Sequence, residues 1–142
     1  MLIWKWKVFR LNCRQHNTLT VNDKDHNVMA IVPMVSTENT ETRMAATFNM
    51  APLFDGDLAT ALRTAALCEN SYLEIKDELA APADKPSHVR WTMVTEGEPQ
   101  ITTDGIILKK KGIRMLLKAE GADVSYRTWS SDPQDYDSPI KH

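Results

Sequence analysis

Apolar and polar residues alternate along most of this chain, which is the two-residue period of β-strands that have one buried face. The alternation is clear at residues 2–9, 42–50 and 72–77, and it resumes at residues 89–94. Within residues 42–50, methionine, alanine and phenylalanine occupy alternate positions, so we expect that face of the strand to be buried. The pattern predicts a domain made mainly of strands.

Short polar segments between the apolar runs predict turns. Residues 17–21 and 28–32 flank the polar sequence Asn22-Asp23-Lys24-Asp25, which predicts a hairpin. The last third of the chain predicts a β-meander, because its apolar runs are separated by glycine-containing turns. These runs are Ile101 and residues 106–108, 113–117 and 124–129, and the turns are Asp104-Gly105, Lys111-Gly112 and Gly121-Ala122.

Residues 57–68 are open to two interpretations. Their alanines and leucines suit a helix that begins at Asp57, a residue type that is favoured as an N-cap. The alternative is a strand at residues 59–67 that pairs with the strand predicted at residues 72–77 across Glu69-Asn70-Ser71. We favour the strand, because strand pairing in the folded domain overrides weak helix propensity.

The chain has 142 residues, which fits one domain. Strands at regular spacing, each with one polar face, predict an all-β, two-sheet antiparallel β-sandwich, since a single sheet would leave its apolar face in water. We assign this sandwich to residues 1–131. Residues 132–142 contain two prolines, in Asp132-Pro133 and Ser138-Pro139, and little apolar content, so we expect an irregular C-terminal tail there.

Composition and charge narrow the classes of protein. With 42% hydrophobic and 25% charged residues, the chain is expected to fold. Its net charge of -2 gives no overall attraction to phosphate backbones, so we expect no nucleic-acid partner. No stretch reaches the ~20 apolar residues of a membrane span, so we expect no membrane partner either.

Two features of the sequence each allow two interpretations. The run Lys109-Lys110-Lys111 is either a set of solvated turn charges, which we favour, or a contact for an anionic ligand. Cys13 and Cys68 either form a disulfide or remain as buried thiols, and two cysteines are too few to indicate a disulfide framework.

Histidines and aspartates are the candidate metal ligands. His16 and His26 lie in one segment with Asp23 and Asp25, and zinc needs three or four converging ligands of these types. A hairpin would place His16 at its base and the aspartates at its tip. The spacing alone therefore favours structural, hydrogen-bonded histidines.

Other chemistry has little support in the sequence. The chain has no glycine-rich phosphate loop, nucleophile elbow or paired-cysteine motif, which excludes nucleotide-dependent and acyl-transfer chemistry. Its tyrosines and histidines show no visible acid–base arrangement. Trp4, Trp6, Trp91 and Trp129 either stack on sugar rings or, as we favour, fill the core.

The segment QHNTLTVNDKD at residues 15–25 resembles the HNT-hydrophobic signature of heparinase II/III-type polysaccharide lyases and their alginate-lyase relatives. Two later regions are similar to the same family in the same order. They are residues 62–64 leading to 73–77, and residues 88–91 followed by a hairpin at 106–117. Together these regions cover most of the chain.

The resemblance implies the C-terminal β-sandwich of an enzyme whose other part is a helical toroid. It also implies β-elimination, in which a base removes the proton next to a uronate carboxylate and an acid protonates the departing glycosidic oxygen. In such families the acid–base tyrosine and the carboxylate-neutralising residues lie on the toroid, and a further catalytic histidine lies upstream of the HNT segment. We therefore expect no catalytic residue in this chain and no lyase activity from the chain alone.

The resemblance also implies a zinc ion in the sandwich of some family members. The histidine of the HNT segment is then one ligand, and histidine and aspartate from upstream strands supply the others. His16 matches that histidine and is the predicted metal ligand. With one matched ligand, zinc should bind this chain weakly or not at all.

The partners implied by the resemblance are a uronate-containing polysaccharide and the toroid of the parent enzyme, which is expected in the periplasm or outside the cell. A toroid-binding face left uncovered would favour self-association as a homodimer. The alternative function is a stand-alone carbohydrate-binding or domain-docking module. Coplanar exposed tryptophans would favour sugar binding, and a broad apolar patch would favour docking.

Overall fold

The computed structural model describes residue 13 and residues 16–121 and 124–128. Nine strands hold 47% of these residues, and a 3-10 turn lies at Ala51–Phe54. Contacts divide this part of the chain into a large unit, up to Met93, and a small unit, from Val94 onwards. The strands are β1 Leu19–Val21, β2 Met34–Asn39, β3 Arg43–Asn49, β4 Thr60–Cys68, β5 Tyr72–Ala80, β6 Val89–Trp91, β7 Glu98–Thr102, β8 Gly105–Lys110 and β9 Ile113–Leu117.

A four-stranded antiparallel sheet with the order β2-β3-β4-β5 forms most of the large unit. Its central strand β4 pairs along its full length with β5, from Thr60 opposite Ala80 to Cys68 opposite Tyr72. The turn between them has positive φ at both Glu69 and Asn70, a geometry that matches the twist of paired strands. The strand interpretation of residues 59–67 is therefore confirmed, because two neighbouring strands satisfy backbone groups that a helix would have satisfied internally.

A short ribbon of β1 and β6 forms the second sheet of the large unit. Leu19 pairs with Trp91, and Val21 pairs with Val89. The side chains of Leu19 and Val21 are each 2% exposed and pack in one core with Phe54 and with Ala61 of β4. The two sheets of this unit thus share a core.

The hairpin predicted from residues 17–21 and 28–32 is wrong. Residues 28–32 form no strand, and β1 pairs instead with β6, far along the chain. The Asn22 amide donates to the His88 carbonyl at 2.8 Å, and the Asn22 side chain accepts from the His88 amide at 2.9 Å. These bonds fix the long-range partner, whereas apolar periodicity indicates a strand without indicating its partner.

The small unit is a meander with the order β7-β8-β9. Lys111 and Gly112 have positive φ in the turn between β8 and β9, as their positions in the sequence predicted. A side chain at Gly105 would clash with the carbonyl of Leu117, so this position requires glycine. Three of the four predicted meander strands are confirmed, but residues 124–128 are not a strand.

The prediction of an all-β fold built from antiparallel sheets is confirmed. The strand predicted at residues 42–50 is present as β3, and its expected buried face is buried only in part: Met50 is 8% exposed and Phe48 is half-buried, but Met44 is 51% exposed. The strand predicted at residues 2–9 and the tail predicted at residues 132–142 lie outside the described residues. Within those residues, no helix has the length and apolar character to cross a membrane.

Replacement of Leu19 by alanine should destabilise the chain by about 2–5 kcal/mol, because it removes buried methyl groups and leaves a cavity. Leu19 is 2% exposed, whereas Val28 is 92% exposed, so Val28→Ala is the matched control and should change stability by less than about 0.5 kcal/mol. Urea denaturation measures both. Equal effects of the two substitutions would contradict the position of the core.

Candidate functional site

The loop that follows β1 carries the HNT-like segment, and a buried carboxylate holds it in place. The Asp57 side chain is 4% exposed and lies 2.6 Å from the Lys24 ammonium and 3.0 Å from the Lys85 ammonium. The Ser87 hydroxyl donates to the Asp57 carbonyl at 2.5 Å. Asp57 therefore links three segments: the loop after β1, the end of the 3-10 turn, and the connection between β5 and β6.

The two lysines also set the charge state of this carboxyl group. Hydrogen bonds from Lys24, and then from Lys85, lower the pKa of Asp57 from 3.8 to about 2. The carboxylate is consequently ionised across the physiological range, and its charge is compensated by both ammonium groups. This arrangement fits a structural role, because a carboxylate held so firmly by two cations is a poor proton acceptor.

His26 is a structural histidine. Its Nε2 lies 2.7 Å from the carbonyl oxygen of Leu19, and since a carbonyl only accepts, Nε2 donates. The ring also meets Phe54 edge to face, with centroids 5.3 Å apart and planes at 85°. These contacts dock the loop after β1 onto the core and leave Nε2 occupied.

His16 lies exposed in the bend before β1. Its amide donates to the Cys13 carbonyl at 3.3 Å, and its carbonyl accepts from the Thr18 amide at 2.9 Å. Asp23, the neighbouring candidate ligand, forms an ion pair with Arg90 at 3.1 Å. Among the residues the structure describes, no three histidine, cysteine, aspartate or glutamate side chains converge as a metal site.

The zinc ion implied by the resemblance therefore does not fit the residues described here. A structural zinc site needs four ligands and a catalytic one needs three, and the described part of the chain brings no such set together around His16. No step of a reaction is derived through such an ion. His16 as a ligand stays a prediction that depends on residues from elsewhere.

A second polar cluster lies at the opposite end of the four-stranded sheet, and the sequence analysis did not find it. Arg43 donates to the Cys68 sulfur at 3.1 Å and to Glu74 at 2.7 Å, and it also approaches Glu38 at 3.3 Å. Strand register could have located this cluster. It places Arg43 of β3 opposite Cys68 of β4, and Cys68 opposite Tyr72 of β5.

Tyr72 in this cluster is unsuited to proton abstraction at neutral pH. Its hydrogen bond with Cys68, above all, raises the pKa of Tyr72 above its ordinary value of 10.0. Phe54, which His26 contacts, packs with Ala61 near the start of β4, while Tyr72 pairs with Cys68 at its end. At the usual rise per residue of a strand, these ends are about 20 Å apart, so Tyr72 and His26 cannot act on one substrate atom.

The other candidate residues have mixed outcomes. Cys13 and Cys68 are both free and buried, so they form no disulfide. Trp91 is 38% exposed on β6. The other three tryptophans lie outside the described residues, so the choice between a sugar-stacking surface and core packing stays a prediction. They are Trp4, Trp6 and Trp129.

The described residues thus define an all-β domain in which polar clusters stabilise sheets and loops. The chain matches the family described as Heparinase II/III-like, C-terminal, over residues 4–136. It belongs to this family, as the HNT-like segment had indicated. A search of curated proteins found no match.

Replacement of Asp57 by asparagine should destabilise the chain in a pH-dependent manner. Because folding lowers the pKa of Asp57 from 3.8 to about 2, its charge stabilises the fold fully above about pH 4. That contribution is lost as the pH falls towards 2. The difference in stability between wild type and Asp57→Asn, measured by urea denaturation, should therefore be largest above pH 4 and shrink below it.

The control is Asp84→Asn, at an exposed aspartate in the connection between β5 and β6. It should leave stability nearly unchanged at every pH. A difference between wild type and Asp57→Asn that stays constant from pH 6 to pH 2 would contradict the proposed role of the carboxylate charge.

Proposed function

We propose that this chain is the β-sandwich part of a polysaccharide lyase that cleaves uronate-containing polymers by β-elimination. The observation that carries the proposal is the family match over residues 4–136, most of the chain. We further propose that the chain has no lyase activity alone and that its parent enzyme works in the periplasm or outside the cell.

The chemistry of β-elimination supports a division of labour between two domains. The reaction needs a base next to the acidic carbon, an acid near the leaving oxygen and a positive group that neutralises the uronate carboxylate. In the large unit, His26 donates to a backbone carbonyl. Tyr72 is hydrogen-bonded to the Cys68 thiol at the other end of the sheet. Arg43 and Arg63 are already paired with carboxylates. We propose that a helical toroid supplies the reacting groups.

In this proposal, His16 is the ligand that the chain contributes to a zinc ion in the parent enzyme. Its exposure leaves the imidazole accessible to ligands from elsewhere. Since a lone imidazole binds zinc weakly, the isolated chain should not retain the ion.

A domain-docking role is the second candidate, and an exposed apolar segment favours it. Val28, Met29 and Ile31 are 92%, 85% and 83% exposed in the segment between the Asn22 turn and β2. Neighbouring apolar residues that are this exposed are typical of surfaces that bind another protein. In a lyase the partner would be the toroid, or a second copy in a homodimer, and in a stand-alone module it would be another protein.

The purified chain should produce no unsaturated uronate from alginate or heparin, which ultraviolet absorbance would detect. The coding sequence next to this chain should also encode a helical toroid, because the proposed reaction needs its residues. Absorbance that rises with the pure chain would contradict the division of labour. Absence of a toroid from the coding sequence would replace the lyase proposal with the docking module.

A further inference from the structure

Each described lysine and arginine of the large unit forms an ion pair with a carboxylate, but three cations of one hairpin in the small unit do not. Ion pairs join Arg43, Arg63 and Arg90, and likewise Lys24, Lys76 and Lys85, to carboxylates. In the described part of the small unit, Lys110 pairs with Glu96, and Lys118 pairs with Glu120. By contrast, the structure forms no ion pair for Lys109, Lys111 or Arg114 within the residues it describes.

These three residues, which we call the basic hairpin, lie at one end of β8 and β9. Lys109 is directly opposite Arg114, and Lys111 occupies the turn that follows β8. All three are exposed. Side chains of directly opposite residues point to the same face of a sheet, so the ammonium of Lys109 and the guanidinium of Arg114 share one face.

A like-charge pair at directly opposite positions destabilises a sheet. The structure relieves this repulsion little, because the Lys109 ammonium donates to the neutral Gln100 side chain at 3.0 Å. Glu98 is directly opposite Lys109 on the other side and shares its face, so it offsets one of the three positive charges, although it forms no ion pair with Lys109 in the described residues. The basic hairpin therefore keeps an unfavourable concentration of positive charge that an anionic ligand would neutralise.

A shallow, open depression lies beside the basic hairpin. It has a volume of about 450 Å³ and is lined by Glu96, Glu98 and residues 109–114. Lys109, Lys110, Lys111 and Arg114 outnumber the two glutamates, so the net charge of the lining is positive. Lys110 is already paired with Glu96, which leaves the basic hairpin to contact the ligand.

We propose that the basic hairpin binds carboxylate groups of a uronate-containing polysaccharide. The choice of ligand rests on the proposed lyase function, while the presence of an anion site rests on the uncompensated charges. The guanidinium of Arg114 offers paired donors that match a carboxylate, and the two lysines add point charges.

The experiment is calorimetric titration of the purified chain with size-defined alginate oligosaccharides, which carry uronate carboxylates and no sulfate. The test variant is Lys109→Gln/Arg114→Gln, which also removes the like-charge pair and so should fold. The matched control is Lys76→Gln/Lys118→Gln, which removes the same charge at two ion-paired lysines. Neutral dextran and single-stranded DNA are the comparison ligands.

We expect alginate to bind the wild type and the control with similar affinity and to bind the test variant about tenfold more weakly, because two charged contacts are lost. Affinity should also fall with added salt. Dextran should not bind, and DNA should bind more weakly than alginate.

Three outcomes would overturn the proposal: no alginate binding to the wild type, equal weakening in the test and control variants, or DNA binding that is tighter than alginate binding. The last result would identify a nucleic-acid site instead. None of them would count against the lyase assignment, since that depends on the encoded toroid.

Discussion

The ion pairs of Asp57 with Lys24 and Lys85 tie together the loops of the large unit. Three segments that are far apart in the sequence meet at this one carboxylate, and each carries something the fold needs. The loop after β1 brings His26 onto Phe54, the 3-10 turn carries Phe54 itself, and the last segment leads into β6. The two ion pairs hold the loop after β1 and the segment before β6 at the same carboxylate, and the bonds between Asn22 and His88 then pair the two strands.

The surroundings of the Asp57 carboxylate explain why this buried charge stabilises the fold rather than destabilising it. The carboxylate is buried, but the Lys24 and Lys85 side chains are 63% and 43% exposed and so stay in contact with water. The lysines therefore keep much of their hydration while they satisfy both carboxylate oxygens. The basic hairpin is the opposite case, because its exposed cations form no ion pair in the described part of the chain and two of them are directly opposite each other. The ion-paired Asp57 carboxylate thus stabilises the fold, whereas the basic hairpin has positive charge that would attract an anionic ligand.

Local features of the fold could be predicted from the sequence, and long-range features could not. The turn at Lys111-Gly112 and the strand that became β4 follow from residue types and from the pairing that a short turn imposes. The partner of β1 does not, because it is set by the bonds of Asn22 with His88 across a long loop. The cluster of Arg43, Cys68 and Tyr72 could not be predicted for the same reason, because strand register alone brings these residues together. Candidate ligands in one sequence segment, such as His16 and His26, likewise form no cluster of three metal ligands among the described residues.

The most direct test of the account is amide hydrogen exchange in the wild type and in Asp57→Asn. The amides of Asn22 and Thr92 report on the ribbon, because they donate to His88 and Thr18 across it at 2.8 Å and 3.0 Å. If the Asp57 carboxylate holds β1 against β6, both amides should exchange faster in the variant, while those of β8 and β9 keep their rates. Unchanged rates at Asn22 and Thr92, or an equal rise throughout both units, would show that the ribbon does not depend on this carboxylate.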